Sequence, residues 1–408
     1  MNFVSLLLHY DDCYVSNHCV MSSVFSNKHV GGGNHMKKKR HVEIAGAGFS
    51  GLTAAIAFTN RGWSVRVHEA SEVLRELGAG LFIWDNGLRV FRVIGAYDEV
   101  MTGSHQAPFY ETRRQGKVIA KNAFGIDAGC QMVTLTRPHL YNAIKNAAFR
   151  AGVEIVTSSR VAAATPEGEL ITEKGDRLKA DLVIGADGVK SNVRDSLRIP
   201  TERKIFADGV TRVLAQRPAH MRGGEWENIL DLWAVPEKSL RILYVPCSET
   251  EVYLAMMSPR TNAITTAVPV NKDVWIDAIP EMAPIIHSLG DQGRFNAYEM
   301  TRARDWSAGR VALIGDCAHA MPPTLGQGVG CAVMNALALS AILDETETIE
   351  EGLALWEKRE RPLTDKTQAE SCNIAETRRL QEGNTIRAAD ETFATAKHVP
   401  TGSDRQPV

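Results

Sequence analysis

The chain lacks several features that would each mark a particular class of protein. No stretch approaches the roughly 20 consecutive apolar residues that a membrane-spanning helix needs. The formal net charge is only −2, so neither a nucleic acid nor an anionic membrane is expected as a partner. The seven cysteines are scattered and include no Cys-x-x-Cys pair. This spacing argues against a disulfide framework or a metal cluster and favours a reducing, cytoplasmic compartment.

The first 35 residues differ in character from the rest of the chain. They lack the basic start, long apolar core and small-residue cleavage site of a signal peptide. Periodic hydrophobicity begins only at His41, and Met36 followed by a basic run resembles a natural start. We therefore expect residues 1–35 to be a non-native or disordered extension, read through from a misplaced start codon.

The remainder of the chain has the pattern of an α/β protein. Short apolar strands are predicted at His41–Ala45 and Val65–His68, with a helix at Leu52–Asn60 between them, which makes one βαβ unit. Strand-like runs separated by turn signals dominate residues 203–299. Residues Ile349–Glu360 are amphipathic and charged.

These patterns suggest how the chain is divided into domains. We predict a discontinuous nucleotide-binding domain over 37–202 and 300–385, interrupted by a β-rich substrate-binding domain over 203–299. Residues 386–408 are predicted to be a C-terminal tail that is frayed beyond Ala396.

A glycine turn lies directly between the first strand and the first helix. Gly46 permits the tight turn, Gly48 lets the backbone approach a pyrophosphate, and Gly51 lets helix and strand pack closely. The helix N-terminus then offers unpaired N–H groups to the phosphates. Glu69 ends the next strand, where a carboxylate can accept hydrogen bonds from a ribose. The combination predicts dinucleotide binding, with a structural glycine turn as the alternative, and it does not separate NAD from FAD. The full turn is Gly46-Ala47-Gly48-Phe49-Ser50-Gly51.

Two later segments narrow that choice through a family resemblance. The segments around Asp187-Gly188 and Gly315-Asp316 resemble the DG and GD segments of flavin-dependent aromatic monooxygenases of the p-hydroxybenzoate hydroxylase type. All three motifs stand in the family's order, and the resemblance runs from about Lys37 to Gln381. It implies an α/β fold in which a Rossmann-like FAD-binding domain carries an inserted β-rich substrate domain.

The GD segment also offers chemistry that FAD needs. Asp316 follows an apolar strand, so it would lie at the carboxyl end of that strand, where ligands of such sheets bind. Its carboxylate can hold a ribityl hydroxyl, and a helix N-cap is the alternative role. Backbone N–H groups that open the next helix can stabilise negative charge on a reduced flavin. They belong to Gly326, Gln327, Gly328 and Val329.

The resemblance implies further contacts to cofactors. It assigns Arg75, Gly80 and Arg137 to FAD and places Asp187 near the flavin and the path of the nicotinamide. The chain contains no second Gly-x-Gly-x-x-Gly turn for a nicotinamide-binding domain. This fits the family, in which NADH or NADPH binds only transiently near the flavin. The sequence does not distinguish NADH from NADPH.

Within the family, the substrate half of the chain resembles oxygenases of hydroxypyridine carboxylates. The resemblance implies a pocket lined by Arg241 and Tyr253, with Arg212 nearby. An arginine fork suits a carboxylate or a ring oxyanion because it gives two parallel charge-assisted hydrogen bonds. The alternative is that Arg241 and Tyr253 point outward from an ordinary strand pair. The other predicted pocket residues are Phe82, which stands where those oxygenases have Tyr, and the covering residues Pro322 and Pro323.

The activity implied is that of an FAD-dependent monooxygenase. It would use NADH or NADPH and O2 to oxygenate, or ring-open, a hydroxylated N-heteroaromatic acid in aromatic catabolism, by way of a C4a-hydroperoxyflavin. Within the family, the alternative is a hydroxylase of a phenolic acid such as salicylate or hydroxybenzoate. Alternatives from other classes are an FAD oxidase or dehydrogenase without oxygen insertion and a flavin-binding regulatory protein without turnover. No residue is assigned as a general acid or base, and assembly as a homo-oligomer is left open.

Overall fold

The structure, a computed structural model, describes residues 39–74, 78–123, 129–235, 238–377 and 395–403. The predicted extension at 1–35 and the predicted FAD contact Arg75 therefore lie outside the described residues. The helices are α1 Phe49–Thr59, α2 Asp85–Val93, α3 Tyr97–Thr102, α4 Arg137–Arg150, α5 Asn192–Ser196, α6 Lys272–Ala278, α7 Ala283–Ser288, α8 Asp316–His319, α9 Gly328–Glu345 and α10 Ile349–Thr377.

The strands form two large sheets, a three-stranded sheet and a two-stranded ribbon. They are β1 His41–Ala45, β2 Ser64–His68, β3 Gly80–Trp84, β4 Phe109–Arg114, β5 Lys117–Ala123, β6 Met132–Thr136, β7 Glu154–Val156, β8 Val161–Thr165, β9 Glu169–Thr172, β10 Arg177–Lys179, β11 Leu182–Gly185, β12 Thr201–Gln216, β13 Ile229–Trp233, β14 Arg241–Pro246, β15 Glu251–Pro259, β16 Arg294–Ala303, β17 Ser307–Ala308 and β18 Val311–Leu313.

The six-stranded sheet confirms the predicted Rossmann-like architecture. Its order is β17-β18-β11-β1-β2-β7, and every neighbouring pair is parallel except β17–β18. In register, Ala45 of β1 lies opposite Gly185 of β11, which in turn lies opposite Leu313 of β18. Because parallel strands end at the same edge, the segments that follow these three strands emerge side by side.

Helix α9 packs against α1 and α10 in the core beside this sheet. By length and composition it is the one helix in the described ranges that could cross a membrane, yet 78% of it is buried inside the protein. A helix covered by protein on all sides is apolar all round for the same physical reason. Its composition is therefore that of a core helix.

The seven-stranded sheet is built from the β-rich half of the chain. Its order is β16-β12-β15-β14-β13-β4-β5, and all pairs are antiparallel except β13–β4. Strands β4 and β5 come from residues 109–123, so the sheet reaches beyond the predicted range 203–299. Since β4 and β13 are more than a hundred residues apart in sequence, no local pattern links them.

Two apolar clusters cover the two faces of the seven-stranded sheet. One face packs against α6 and α7 through residues such as Trp275 and Ile285. Val245, Tyr253 and Ala255 point to the opposite face and pack with residues of the β3–β6 ribbon. We call this second face the inner face, and alternate residues of each strand lie on it.

The last helix contains the amphipathic stretch and extends beyond it. Helix α10 continues from Ile349 through Pro362 to Thr377. A proline inside a helix costs about 3 kcal/mol, and burial of Gln368 and Ser371 against the core offsets it. The predicted tail is not frayed beyond Ala396 throughout: Ala396 is fully buried, and residues up to 403 belong to the described part of the chain.

Candidate functional site

The first two glycine segments touch through their backbones. Gly46 has a φ of +101°, and a Cβ placed on it would lie 2.4 Å from the carbonyl oxygen of Ala186. A Cβ on Gly51 would lie 2.0 Å from the carbonyl oxygen of Gly46. Only glycine allows contacts this close, so the turn after β1, the start of α1 and the segment after β11 form one tight cradle.

A cavity of about 270 Å³ opens beside this cradle. Gly46, Gly48, Glu69, Asp187 and Lys190 are among the residues that line it. A Cβ on Gly48 would meet no atom within 4 Å, so the backbone there faces open space. The Glu69 carboxylate is fixed at the rim, since it accepts hydrogen bonds from the backbone N–H of Ala47 at 3.1 Å and of Ser71 at 2.8 Å.

Asp187 uses its carboxylate to shape its own turn. One oxygen accepts a hydrogen bond from the Ser191 hydroxyl at 2.5 Å, and the other accepts from the backbone N–H of Val193 at 3.1 Å. The fully buried Arg194 then donates to the carbonyl oxygen of Cys317 at 2.9 Å. The DG segment is thereby tied to the GD segment.

The GD segment meets both α1 and the β3–β6 ribbon. Gly315 has a φ of +61°, and a Cβ on it would lie 2.7 Å from the Ser50 hydroxyl oxygen. Gly315 is also the N-cap of α8, and Asp316 is the first residue of that helix. Asp316 therefore does not have the N-cap role that was its alternative. A Cβ on Gly326 would lie 3.2 Å from the Cβ of Phe82, which places this loop against β3.

The start of α9 presents backbone and side-chain donors to the same region. Gln327 is the N-cap of α9, and no side chain caps the N–H groups there, which include those of Gly328 and Val329. The Gln327 side chain is buried, and its carbonyl oxygen accepts from Asn86 at 3.0 Å. Its amide nitrogen has no hydrogen-bond partner within the described ranges. A buried donor without a partner is costly and marks a place where a bound group would be stabilised.

Arg137 lies beside the glycine turn, although it is far from it in sequence. It begins α4, and its guanidinium lies 5.0 Å from the centre of the Phe49 ring. Its backbone N–H donates to the carbonyl oxygen of Ala79 at 2.8 Å, and a Cβ on Gly78 would lie 2.4 Å from its Cδ. The structure thus brings Arg137 together with the segment that leads into Gly80.

The predicted substrate residues Arg241, Tyr253 and Arg212 all lie on the inner face. Val245 pairs with Tyr253, Arg241 pairs with Met257, and Arg212 pairs with Ala255. Tyr253 and Arg212 share a hydrogen bond, and burial raises the pKa of the Tyr253 hydroxyl although Arg212 opposes this. The three residues therefore share one face of the sheet, and Arg241 and Tyr253 are buried there rather than exposed to solvent.

The β3 strand and the proline turn lie around this face. A Cβ on Gly80 would lie 2.5 Å from the Cβ of Tyr253, so β3 crosses directly over it. Phe82, two residues further along β3, packs against the same apolar cluster. Pro322 is buried and Pro323 is exposed.

Sequence reasoning missed the partners of Arg241. The fully buried Asp231 accepts a hydrogen bond from Arg241 Nε at 2.5 Å. The Tyr110 hydroxyl accepts from Arg241 Nη2 at 3.2 Å and donates to the second oxygen of Asp231 at 3.1 Å. The Arg241 guanidinium also lies 4.8 Å from the centre of the Trp233 ring. The available signal was a single aspartate inside the otherwise apolar strand β13.

His319 is a buried, neutral part of the core beside the GD segment. It shares a hydrogen bond of 3.0 Å with Asn335 and lies 5.1 Å from the Trp306 ring centre. Burial lowers the pKa of His319 from 6.5 to about 4. A buried ring that stays neutral at physiological pH and packs against Trp306 supports the fold.

The His319 pKa predicts a loss of stability in mild acid. The unfolded chain binds the proton at a pKa of 6.5 and the folded chain only at about 4, so a falling pH favours unfolding between those values. Between about pH 8 and pH 5, this amounts to about 2 kcal/mol of unfolding free energy. Urea titrations of wild type and His319→Gln should show that the variant loses about 2 kcal/mol less than wild type over that range. An equal loss in both proteins would contradict the assignment.

Comparison with known proteins identifies the family to which this arrangement belongs. Residues 39–367 match the model of the FAD binding domain family. The chain belongs to this family. Its fold is that of the p-hydroxybenzoate hydroxylase-like flavin monooxygenases, so the predicted resemblance and fold class are confirmed.

Individual relatives place the chain among FAD-dependent monooxygenases of aromatic rings. Crystal structures of 2-methyl-3-hydroxypyridine-5-carboxylic acid oxygenase match with a TM-score of 0.83 and 42% identity, covering 90% of this chain and 100% of the other. A Rhodococcus erythropolis protein, named as a putative 2-heptyl-3-hydroxy-4(1H)-quinolone synthase, is 37% identical over 343 residues, which cover 84% of this chain and 89% of the relative. The 6-hydroxynicotinate 3-monooxygenase of Bordetella bronchiseptica is 26% identical over 326 residues, covering 76% of this chain and 84% of that enzyme. The protein is accordingly a flavin-dependent aromatic monooxygenase.

The residues of this family member are compatible with FAD. The glycine cradle and the cavity leave room for a pyrophosphate and an adenosine beside an uncapped helix N-terminus. The buried amide of Gln327 and the open N–H groups of α9 offer hydrogen-bond donors at a second point, close to Phe82. The structure thus offers two groups of hydrogen-bond donors, one beside the cavity and one at the start of α9.

Proposed function

We propose that the protein binds FAD across these two groups of donors and uses NADH or NADPH with O2 to oxygenate a hydroxylated N-heteroaromatic ring held on the inner face. The observation that carries the proposal is the convergence of three strand ends, β1, β11 and β18, at one edge of the parallel sheet. The inner face lies across β3 from that edge, so a flavin held there would be adjacent to it.

In this proposal, the adenosine half of FAD occupies the cavity and the flavin lies toward α9. Glu69 would accept hydrogen bonds from the ribose, Asp316 would hold the ribityl chain, and Arg137 would approach the cofactor from the side of Phe49. Asp187 acts through the turn that it holds in place. The other residues proposed to contact FAD are Gly46, Gly48, Ser50, Gly51, Gly80, Gly315, Gly326, Gln327, Gly328 and Val329.

The substrate class is supported by what the relatives have in common. The names of the three relatives above refer to a hydroxypyridine carboxylate, a hydroxyquinolone and a hydroxynicotinate. All three are oxygenated N-heteroaromatic rings, although only two carry a carboxylate. We propose a hydroxylated pyridine-type ring between the inner face and the proline turn. The residues proposed to contact it are Phe82, Arg212, Arg241, Tyr253, Pro322 and Pro323.

The protein's own contribution is placement and exclusion of water. Bound FAD supplies the redox chemistry, since it can take a hydride from the nicotinamide and react with O2. Tyr253 keeps its proton because burial raises its pKa, so its hydroxyl can donate a hydrogen bond to a ring oxygen. The apolar side chains of the inner face, among them Leu243, Ala255 and Met257, keep the reacting ring dry.

We further infer that NADH or NADPH binds only transiently, that the protein is cytoplasmic and that it forms a homo-oligomer. Transient binding of the nicotinamide is supported by the single Gly-x-Gly-x-x-Gly turn of the sequence. A tetrameric form is known for the hydroxypyridine oxygenase that this chain resembles, which favours assembly of several copies.

A ring panel tests the proposed function. Holoenzyme should oxidise NADH or NADPH at least tenfold faster with one or more hydroxypyridines, hydroxynicotinates or hydroxyquinolones than without a ring compound. Hydroxybenzoates and salicylate serve as matched carbocyclic controls. Stimulation by the carbocyclic acids alone would contradict the proposed substrate class.

A further inference from the structure

The two predicted pocket arginines differ in how their charges are balanced. The Arg212 guanidinium donates a hydrogen bond to the side-chain oxygen of Asn296 at 2.8 Å and also interacts with the Tyr253 hydroxyl. Among the described residues, no carboxylate lies within ion-pair distance of Arg212. Arg241 instead forms an ion pair with Asp231 at 2.5 Å. Both arginines lie on the inner face, so the difference is between two ends of the same proposed pocket.

The Asp231–Arg241 pair is buried and internally satisfied. Asp231 is fully buried, and each of its two oxygens accepts a hydrogen bond, one from Arg241 and one from Tyr110. Burial by itself lowers the pKa of Arg241, but the Asp231 carboxylate raises it above its ordinary value, so the guanidinium stays charged. The pair therefore carries no net charge.

The pair also removes part of the fork that a carboxylate would use. A bidentate contact to a carboxylate needs two parallel N–H groups of one guanidinium edge. Arg241 Nε is committed to Asp231, Nη2 to Tyr110 and Nη1 to the sulfur of Met257 at 3.3 Å. The remaining N–H groups can donate single hydrogen bonds but cannot add a full positive charge, because Asp231 lies against the same guanidinium.

We infer that Asp231 is a specificity-determining residue: by neutralising Arg241, it makes that end of the pocket select a neutral hydrogen-bonding group, and it directs any anionic group of the substrate to Arg212 and Tyr253. The inference rests on the proposed placement of the substrate on the inner face. Asp231 acts through Arg241 and does not itself touch the ring.

The test compares two ligands of the same shape and different charge. Dissociation constants of 5-hydroxynicotinate and 5-hydroxynicotinamide are measured on holoenzyme from the change in flavin absorbance, and the ratio of the two gives the preference for the carboxylate. Asp231→Asn should raise that preference about tenfold or more, because it unmasks the charge of Arg241. The double variant Asp231→Asn with Arg241→Gln, which keeps a neutral hydrogen-bonded pair, should return within threefold of wild type.

Each remaining outcome also decides the inference. Arg212→Gln should lower the preference at least tenfold. An unchanged preference in Asp231→Asn, or a tenfold loss in the double variant, would overturn the inference, because Arg241 would then already act with its full charge. If Asp231→Asn does not fold, the double variant decides alone by the same criterion.

A second ligand pair separates this inference from the substrate class. The same ratio is measured with 3-hydroxybenzoate and 3-hydroxybenzamide. Binding of the benzene pair alone would contradict the proposed heteroaromatic substrate. The preference for the carboxylate over the amide could still be measured with that pair, so the role of Asp231 would still be tested. An enzyme that binds neither pair would overturn both proposals.

Discussion

Gly51→Ala should yield a protein that is less stable and almost free of flavin. The added Cβ would lie 2.0 Å from the carbonyl oxygen of Gly46 and 3.3 Å from the Cβ of Ala186. Because the obstructing atom belongs to the backbone, α1 or the glycine turn must shift, and overpacking of this kind costs about 3 kcal/mol. We expect that loss in urea unfolding of the apoprotein, together with a low ratio of flavin to protein absorbance after purification.

Gly48→Ala provides the matched control in the same turn. A Cβ at this position meets no atom within 4 Å, and its φ of −76° is ordinary for alanine. Apoprotein stability should therefore change by less than about 0.5 kcal/mol. The FAD dissociation constant should nevertheless rise at least tenfold, because the methyl group would occupy space that the pyrophosphate needs. Wild-type affinity for FAD in Gly48→Ala would contradict the proposed position of the pyrophosphate.

Asp316→Ala should weaken FAD binding without a comparable loss of stability. A hydrogen bond to a charged acceptor contributes about 1.5–3 kcal/mol, which corresponds to a roughly 10- to 100-fold increase in the FAD dissociation constant. Titration of apoprotein with FAD, followed by flavin fluorescence, measures this directly.

Asp316→Asn is the conservative partner of that variant. It keeps a side-chain oxygen of the same size that can accept a ribityl hydrogen bond, so it should bind FAD more tightly than Asp316→Ala. Full flavin occupancy in Asp316→Ala would show that the carboxylate has no role in holding the cofactor.

Much of the nucleotide-binding half could be predicted because its signals are local. The turn from Gly46 to Gly51 is a run of six residues whose backbone conformation the sequence largely dictates, and the structure places it between β1 and α1 as expected. Short apolar runs directly before the three glycine-containing motifs mark β1, β11 and β18, and the structure pairs these strands in parallel. Arg137 was linked to this region by resemblance alone, and its contact with Phe49 depends on tertiary packing.

The parts that escaped prediction depend on contacts between distant residues. The pairing of β4 with β13 joins segments that share no local pattern, and the ion pair between Asp231 and Arg241 forms across neighbouring strands. A proline is unfavourable inside a helix, yet α10 continues through Pro362 to Thr377 because side chains further along are buried against the core. Sequence patterns indicate what a residue can do, and the fold decides which partner it has.

Oxygen-18 labelling tests most directly whether the protein is an oxygenase of a nitrogen heterocycle. Holoenzyme is incubated under ¹⁸O₂ with NADH or NADPH and with the ring compound that best stimulates turnover. The mass of the product is then measured by mass spectrometry. We expect one labelled oxygen atom in each product molecule, because a monooxygenase transfers one atom of O2 to the ring and releases the other as water. Any further oxygen that is added when the ring opens comes from water and is unlabelled. An unlabelled product, formed while all the ¹⁸O₂ consumed appears as hydrogen peroxide, would contradict the account.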